Sequence, residues 1–484
     1  MQTATKRTYV VNAPDLVVAV QRNTKTILFN PFVVAMTPRL FGTSAQTNAI
    51  VAKDATKEKD AFMADIHDAM YEVLAPGQEL KRMTRVTLEL LQSYFDQLSS
   101  RDDPTIDLFA WTRHIFTVSS TEAVYGPNNP FRHIPELEDV FWEFEKQMTA
   151  LLIGVYPSIT ARAGIRARKI ITDALETYLL NNGGDSGGKL LKVRYDINLG
   201  YGIPLRDFAC FEIGDCIGVL INATPTFFWL LFDIYSRPLL LNALRDELES
   251  SGSLIRSSDQ KLATMHTLSL RSTCPLLFST FQESLRCRTR NATTRWVTED
   301  TFIKDASGND YLLKKDSVVQ MPAAPMHYNT GLWGDDAKEF SPARFIKGSS
   351  SPSSSSTNVN DTGLFRGYDP STGTMNSRPA TMRKVKNGSF RAFGGGATLC
   401  PGRHFATDEL ISSTAMFISR FDLQAPEGGW KEPQCQGNRL ASSIPPPSGD
   451  LKVKVKPRAG FEGWGMKLDF SDAKMVNGAF ELAV

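Results

Sequence analysis

One cysteine in this chain stands in a setting built for chemistry. Cys400 lies near the end of the run Phe393-Gly-Gly-Gly-Ala-Thr-Leu-Cys-Pro-Gly402. Glycines 394, 395 and 396 let the backbone turn tightly and aim N–H groups at the sulfur, because residues without Cβ accept left-handed dihedrals. The apolar run from Phe405 to Phe417 reads as a helix that starts just after the cysteine. Its positive end favours a thiolate. A thiolate so held can serve as the axial ligand of a haem iron. A bare Gly-Gly-Gly around a buried structural cysteine is the competing reading; Phe-x-x-Gly-x-x-x-Cys-x-Gly is much more restrictive.

Other charged and polar groups have suggestive spacing. Glu283 and Arg286 are three residues apart and so share a helix face, by itself a common surface pair worth about 0.2–0.5 kcal/mol. Leu205 to Tyr235 is the longest apolar stretch, roughly 45 Å if continuous at about 1.5 Å per residue. Asp207, Glu212, Asp215, Asn222 and Asp233 are spread along it, so it reads as a buried helix of a soluble core rather than a membrane span. Pro225 has no N–H and clashes with the preceding turn, which opens the helix near Ile221 to Thr224. Such a turn beside a haem can hold water or dioxygen.

The elements around these groups are mostly helical by spacing. Residues 9 to 22 alternate and then become helical, and 23 to 42 read as an apolar loop with two prolines. Helices are expected over Phe62 to Leu74, Leu80 to Leu98, Asp107 to Tyr125, Ile134 to Leu152, Ala161 to Leu180, Arg237 to Ser251 and Ser272 to Cys287. Asn181 to Gly188 reads as a flexible connection, Asn291 to Phe302 as the entry to a sheet, and Leu451 to Val455 as a strand. The Ser-rich stretch after Gly348 is too polar to order itself.

With 484 residues, 42% of them hydrophobic, the chain can bury a large core. Fifty-four basic residues against 52 acidic leave a net charge of +2, so nothing global points to nucleic acid. The six cysteines have neither zinc-site nor disulfide-framework spacing, which fits a reduced, cytosol-facing compartment.

Phe393 to Gly402, Glu283-Ser-Leu-Arg286 and Phe340-Ser-Pro-Ala-Arg344-Phe345, in their places along the chain, resemble the signatures of the cytochromes P-450. The resemblance spans about residue 8 to 456. It implies a mainly α fold with small β-sheets, forming a single domain over 1–484, with an insertion at about 348–376 and a tail at about 457–484. The segment from Arg7 is similar to a strand and helix well inside the family fold, so the N-terminal anchor and first elements are expected to be missing from this chain.

The resemblance also implies roles. Cys400 would ligate the iron of haem b, with Phe393 over the sulfur side and Gly396 and Gly402 shaping the loop. Arg295 would neutralise a propionate. Thr398 stands where most relatives carry an Arg or His propionate donor. His67 and Tyr71 fall at the family's Trp-x-x-x-Arg positions, with half-exposed helix side chains as the alternative. Arg344 would join Glu283 and Arg286 in a structural triad. Asn222 and Thr224 fall where most relatives relay protons with an acid followed by Thr. Asn cannot titrate, so delivery would need Thr224, ordered water or the substrate's own hydroxyl; Thr224 could instead bond the carbonyl one turn back. Gly-Ala-Thr-x-Cys-Pro-Gly-Arg is similar to the branch containing sterol 7-hydroxylases and prostacyclin synthase.

Two activities follow from the resemblance. One is a monooxygenase, supplied with electrons from NADPH by cytochrome P-450 reductase, acting with O2 on an apolar terpenoid, sterol-like or polyketide molecule of secondary metabolism. The other is a reductase-independent isomerase or dehydratase of a peroxide. The resemblance implies the cytosolic face of the endoplasmic reticulum membrane. Arg383, Lys384, Lys386, Arg391 and Arg403 would form a basic surface for the reductase, or an ordinary solvated charge run. Pocket walls are expected at Phe29 to Val34, Gly218 to Pro225, Ala292 to Thr294 and Ser442 to Pro445.

Overall fold

A computed structural model describes residues 7–100, 104–347, 382–437, 439 and 442–471, with short strands at 368–369, 374–375 and 378–379. The insertion expected at about 348–376 lies almost entirely outside the described residues, as does the tail beyond 471. The architecture is mainly helical with small sheets.

Amphipathic spacing is honoured by burial. In the helix Gln78–Ser99 the buried side chains are Leu80, Met83, Thr84, Thr87, Leu88, Leu91, Phe95 and Leu98, a stripe at helical period. The next helix, Leu108–Tyr125, is started by Asp107, whose Oδ1 accepts the Ala110 N–H at 2.8 Å. The stretch Leu205–Tyr235 is long and apolar enough to cross a membrane, but its most apolar window is 78% buried inside the protein. It is a core element, broken where Pro225 requires: one helix runs Leu205–Leu220 and a second Ala223–Tyr235.

The largest sheet has four strands. Thr8–Val10 pairs parallel with Val318–Pro322, which pairs antiparallel with Ala292–Val297, which pairs with Ile27–Leu28. This sheet carries Arg295 opposite Val319.

Two expectations are corrected. Residues 23 to 42 are not a loop throughout: Asn30–Phe41 is a helix with Pro31 in its first turn, where the missing N–H costs nothing, and it ends at Gly42 in the left-handed conformation. Asn181 to Gly188 is not a loose connection either. A π-helical turn spans Leu179–Gly183, held by the Tyr178 hydroxyl, which lies 2.6 Å from the Tyr125 carbonyl and 2.8 Å from that of Gly183 and shares its one proton between them.

Candidate active site

The cysteine loop is shaped by backbone bonds and by its neighbour. The Cys400 N–H donates to the Phe393 carbonyl at 2.9 Å, and that of Gly394 to the Arg391 carbonyl at 3.1 Å. Gly394 and Gly396 have φ of 81° and 62°, and a Cβ on Gly396 would lie 2.9 Å from Cβ of Gln21. The glycines therefore let the helix Pro14–Arg22 pack directly on the loop. The helix Arg403–Arg420 begins just past the cysteine, as expected. Burial pushes the Cys400 thiol up, opposed by the N–H groups of Gly402 and Arg403 and the Arg403 charge. A coordinated metal cation would decide the balance, since it deprotonates a ligating thiol outright.

Cys400, Phe393, Gly402 and Thr398 line a cavity of about 340 Å³. On the central helices it is walled by Asp215, Gly218, Val219, Asn222, Ala223 and Thr226, and elsewhere by Thr293, Ser443 and Ile444 among others. A second cavity, of about 500 Å³, is lined by Phe29, His67, Tyr71 and Arg295 and meets the first at Met70, Thr398 and Pro401. The expected wall segments thus contribute, Phe29 in the second cavity and the other three in the first.

Thr224 is corrected. It is fully buried, does not line the cavity, and its Oγ1 has no hydrogen-bond partner among the described residues. Two residues along a helix is a rotation of about 200°, so Thr224 faces away when Asn222 faces in. Thr226, one turn on, lines the cavity, and its Oγ1 donates to the Asn222 carbonyl at 2.6 Å. The Asn222 side chain is a clamp: its Oδ1 accepts the N–H groups of Ser443 at 2.9 Å and Ile444 at 3.2 Å.

Glu283, Arg286 and Arg344 are fully or almost fully buried and meet. Arg286 donates Nε and Nη2 to the two Glu283 oxygens at 2.7 and 2.8 Å, and Arg344 Nε lies 2.9 Å from Oε1. Ser341 N–H completes the set at 2.8 Å. His327 links this triad to the cysteine loop. Burial pushes its imidazole down to about 3, so it is neutral; Nδ1 donates to the Arg286 carbonyl at 3.0 Å and Nε2 accepts the Arg391 N–H at 2.8 Å.

Tyr71 and His67 both reach the cysteine loop. The Tyr71 hydroxyl donates to the Leu399 carbonyl, and His67 Nε2 lies 3.2 Å from that of Ala397. Arg391, expected on the basic surface, is instead 1% exposed; Arg383, Lys384 and Lys386 remain exposed.

Arg295 and Arg391 decide what the site can hold. Arg295 donates to Thr398 Oγ1 and to the Thr294 carbonyl at 2.9 Å, and Arg391 to Thr293 Oγ1. Among the described residues neither has a carboxylate partner, and Arg391 Nη1 has no hydrogen bond. Burial pushes both down to about 10, and Arg295 adds to the strain on Arg391. Buried cations need anionic partners. The two propionates of a haem held at Cys400 would supply them; the donor set fits the group.

Sequence reasoning did not single out His327, Thr226 or Glu409, and it placed Arg391 on a basic surface. Glu409, on the cysteine-side helix, lines the cavity fully buried, with Oε1 accepting from Ser120 Oγ at 2.5 Å and Oε2 bare. Its place in an apolar helical run was the only available signal.

The sequence family model described as Cytochrome P450 matches residues 222–453. A cytochrome P450 monooxygenase nodJ of Hypoxylon pulicicidum is 33% identical over 98% of this chain and 86% of its own length. A cytochrome P450 monooxygenase of Gibberella zeae is 26% identical, covering 94% of this chain and 81% of itself. A cholesterol 7-alpha-monooxygenase of Cricetulus griseus is 25% identical over 65% of this chain and 58% of itself.

Proposed function

This chain belongs to the cytochrome P450 family of oxidoreductases, and from that premise we propose that it inserts one oxygen atom from O2 into an apolar secondary metabolite of the terpenoid, sterol-like or polyketide class. The observation that carries the reading is that Cys400 shares its cavity with Thr398 and Thr293, whose hydroxyls hold the buried guanidiniums of Arg295 and Arg391, neither with a carboxylate partner among the described residues. The haem-thiolate group, when bound, supplies the oxygen-activating chemistry.

The protein's part is to hold and shield. Cys400 would ligate the haem iron with Phe393 beside it, and Arg295 and Arg391 would neutralise the propionates, Arg391 standing in for the Arg or His that Thr398 replaces. Thr398 orients Arg295. The Glu283 triad and His327 fix the segment behind the loop, with charge-assisted bonds on both carboxylate oxygens. Asn222 anchors the Ser443–Ile444 roof rather than titrating. Thr226 sets a hydroxyl on the helix wall whose proton is held by the Asn222 carbonyl, so its oxygen would accept a hydrogen bond from a water that relays protons.

Electrons would come from NADPH through a separate reductase, with the enzyme at the cytosolic face of the endoplasmic reticulum membrane; the exposed Arg383, Lys384 and Lys386 suit an acidic partner. Relatives named as monooxygenases favour this over peroxide isomerisation. The test is Cys400→Ser in haem-loaded protein. It should abolish the reduced carbon-monoxide Soret band of thiolate ligation and NADPH-dependent product formation. Retention of that band would overturn the reading.

A further inference from the structure

The cavity wall carries a charged group with no part in the chemistry above. Asp215 lies two turns before Asn222 on the helix Leu205–Leu220, about 10 Å along its axis at about 1.5 Å per residue. It lines the same cavity and is 9% exposed. Its Oδ1 is 2.8 Å from Arg194 Nη1, whereas its Oδ2 has no hydrogen-bond partner among the described residues.

A purely structural ion pair explains this poorly. Arg194 already has a bidentate partner, donating Nε and Nη2 to Glu212 at 3.1 and 2.7 Å. Two other buried carboxylates in ion pairs use both oxygens. Glu283 meets Arg286, Arg344 and Ser341, and Asp233 meets Arg288 through Oδ1 and Ser284 through Oδ2. Leaving one oxygen of a buried carboxylate bare is costly, and the cost is recovered when a ligand supplies a donor. Leu74, Met83, Leu190 and Val219 line the same cavity, so the donor would sit on an otherwise apolar molecule.

We propose that Asp215 is a specificity-determining residue that accepts a hydrogen bond from a hydroxyl of the substrate, so that the substrate is an apolar alcohol held by its oxygen away from the carbon to be oxidised. Burial pushes the Asp215 carboxyl up, and Arg194, 2.8 Å from Oδ1, opposes that shift and aligns the group. This rests on the monooxygenase reading and names its substrate class.

The test uses the haem-loaded full chain and three probes of one carbon skeleton: menthol, menthone and menthane. Binding is read from the ligand-induced Soret shift. Menthol should bind on the order of tenfold more tightly than menthane, as expected for a hydrogen bond to a charged acceptor. Asp215→Asn should invert the order of the polar probes. Arginine has no acceptor, so the amide oxygen must keep facing Arg194 and the NH2 takes the place of Oδ2; the variant then prefers menthone, an acceptor. Equal binding of menthol and menthane by the wild type, or an unchanged order in a variant that keeps the wild-type reduced carbon-monoxide band, would overturn the proposal. Should the variant fail to take up haem, the wild-type ranking alone decides. A wild type lacking the thiolate band would bring down the haem-thiolate reading instead.

Discussion

Replacing Arg391 by Met should have opposite effects on the haem-free and the haem-loaded protein. Its guanidinium is almost fully buried and held at about 10 against an ordinary 12.5, chiefly by desolvation. At about 1.4 kcal/mol for each tenfold change in a proton equilibrium, the solvation penalty is on the order of 3 kcal/mol. The sign is definite. A basic group whose folded value is depressed destabilises the fold wherever the unfolded group is charged, so the full penalty is present at neutral pH. Met fills a similar volume without charge, and the Arg391 N–H bond to His327 belongs to the backbone and survives. Arg391→Met should therefore stabilise the haem-free protein by about 1–3 kcal/mol, the range left after Thr293 loses its partner. Haem-loaded protein should lose a charge-assisted contact and release haem about tenfold faster or more. Denaturant unfolding of the haem-free form and transfer of haem to excess apomyoglobin measure the two effects. Loss of stability in the haem-free form together with unchanged haem release would refute the assignment of Arg391 to a propionate.

Two other substitutions probe buried carboxyl groups. Glu283→Gln leaves Arg286 with no carboxylate partner and should cost about 3–5 kcal/mol, as for breaking other buried pairs; a denaturation midpoint within error of wild type would contradict the triad's supporting role. Glu409 is pushed up to about 8 by burial, so the unfolded carboxyl ionises near 4.5 while the folded one stays neutral. Stability should fall as pH rises between those values, and Glu409→Gln should flatten that slope and be the more stable form at pH 8, as followed by thermal melts across the range.

The chemistry was legible where it is local. Cys400 with its glycines, Glu283 with Arg286, and the break at Pro225 each depend on neighbours within a turn or a loop, and spacing along the chain encodes such neighbours directly. The helix Asn30–Phe41 escaped because its prolines read as breakers, although Pro31 sits where a helix tolerates it.

What the sequence could not decide is which charged groups find partners, for that depends on elements far apart in the chain. Arg391 reads as one of several basic residues near a loop. It goes inside because Thr293, 98 residues away, and His327, 64 away, receive its side chain and backbone. Asp215 and Glu409 look like ordinary interruptions of apolar helices until packing leaves each with one bare oxygen and places both on one cavity. Helix rotation, set by the whole core, turns Thr226 toward that cavity and Thr224 away from it. Local sequence thus specified the cysteine and its support, while tertiary packing chose the electrostatic contacts of the cavity, because the cost of a buried charge depends on what the rest of the fold places beside it.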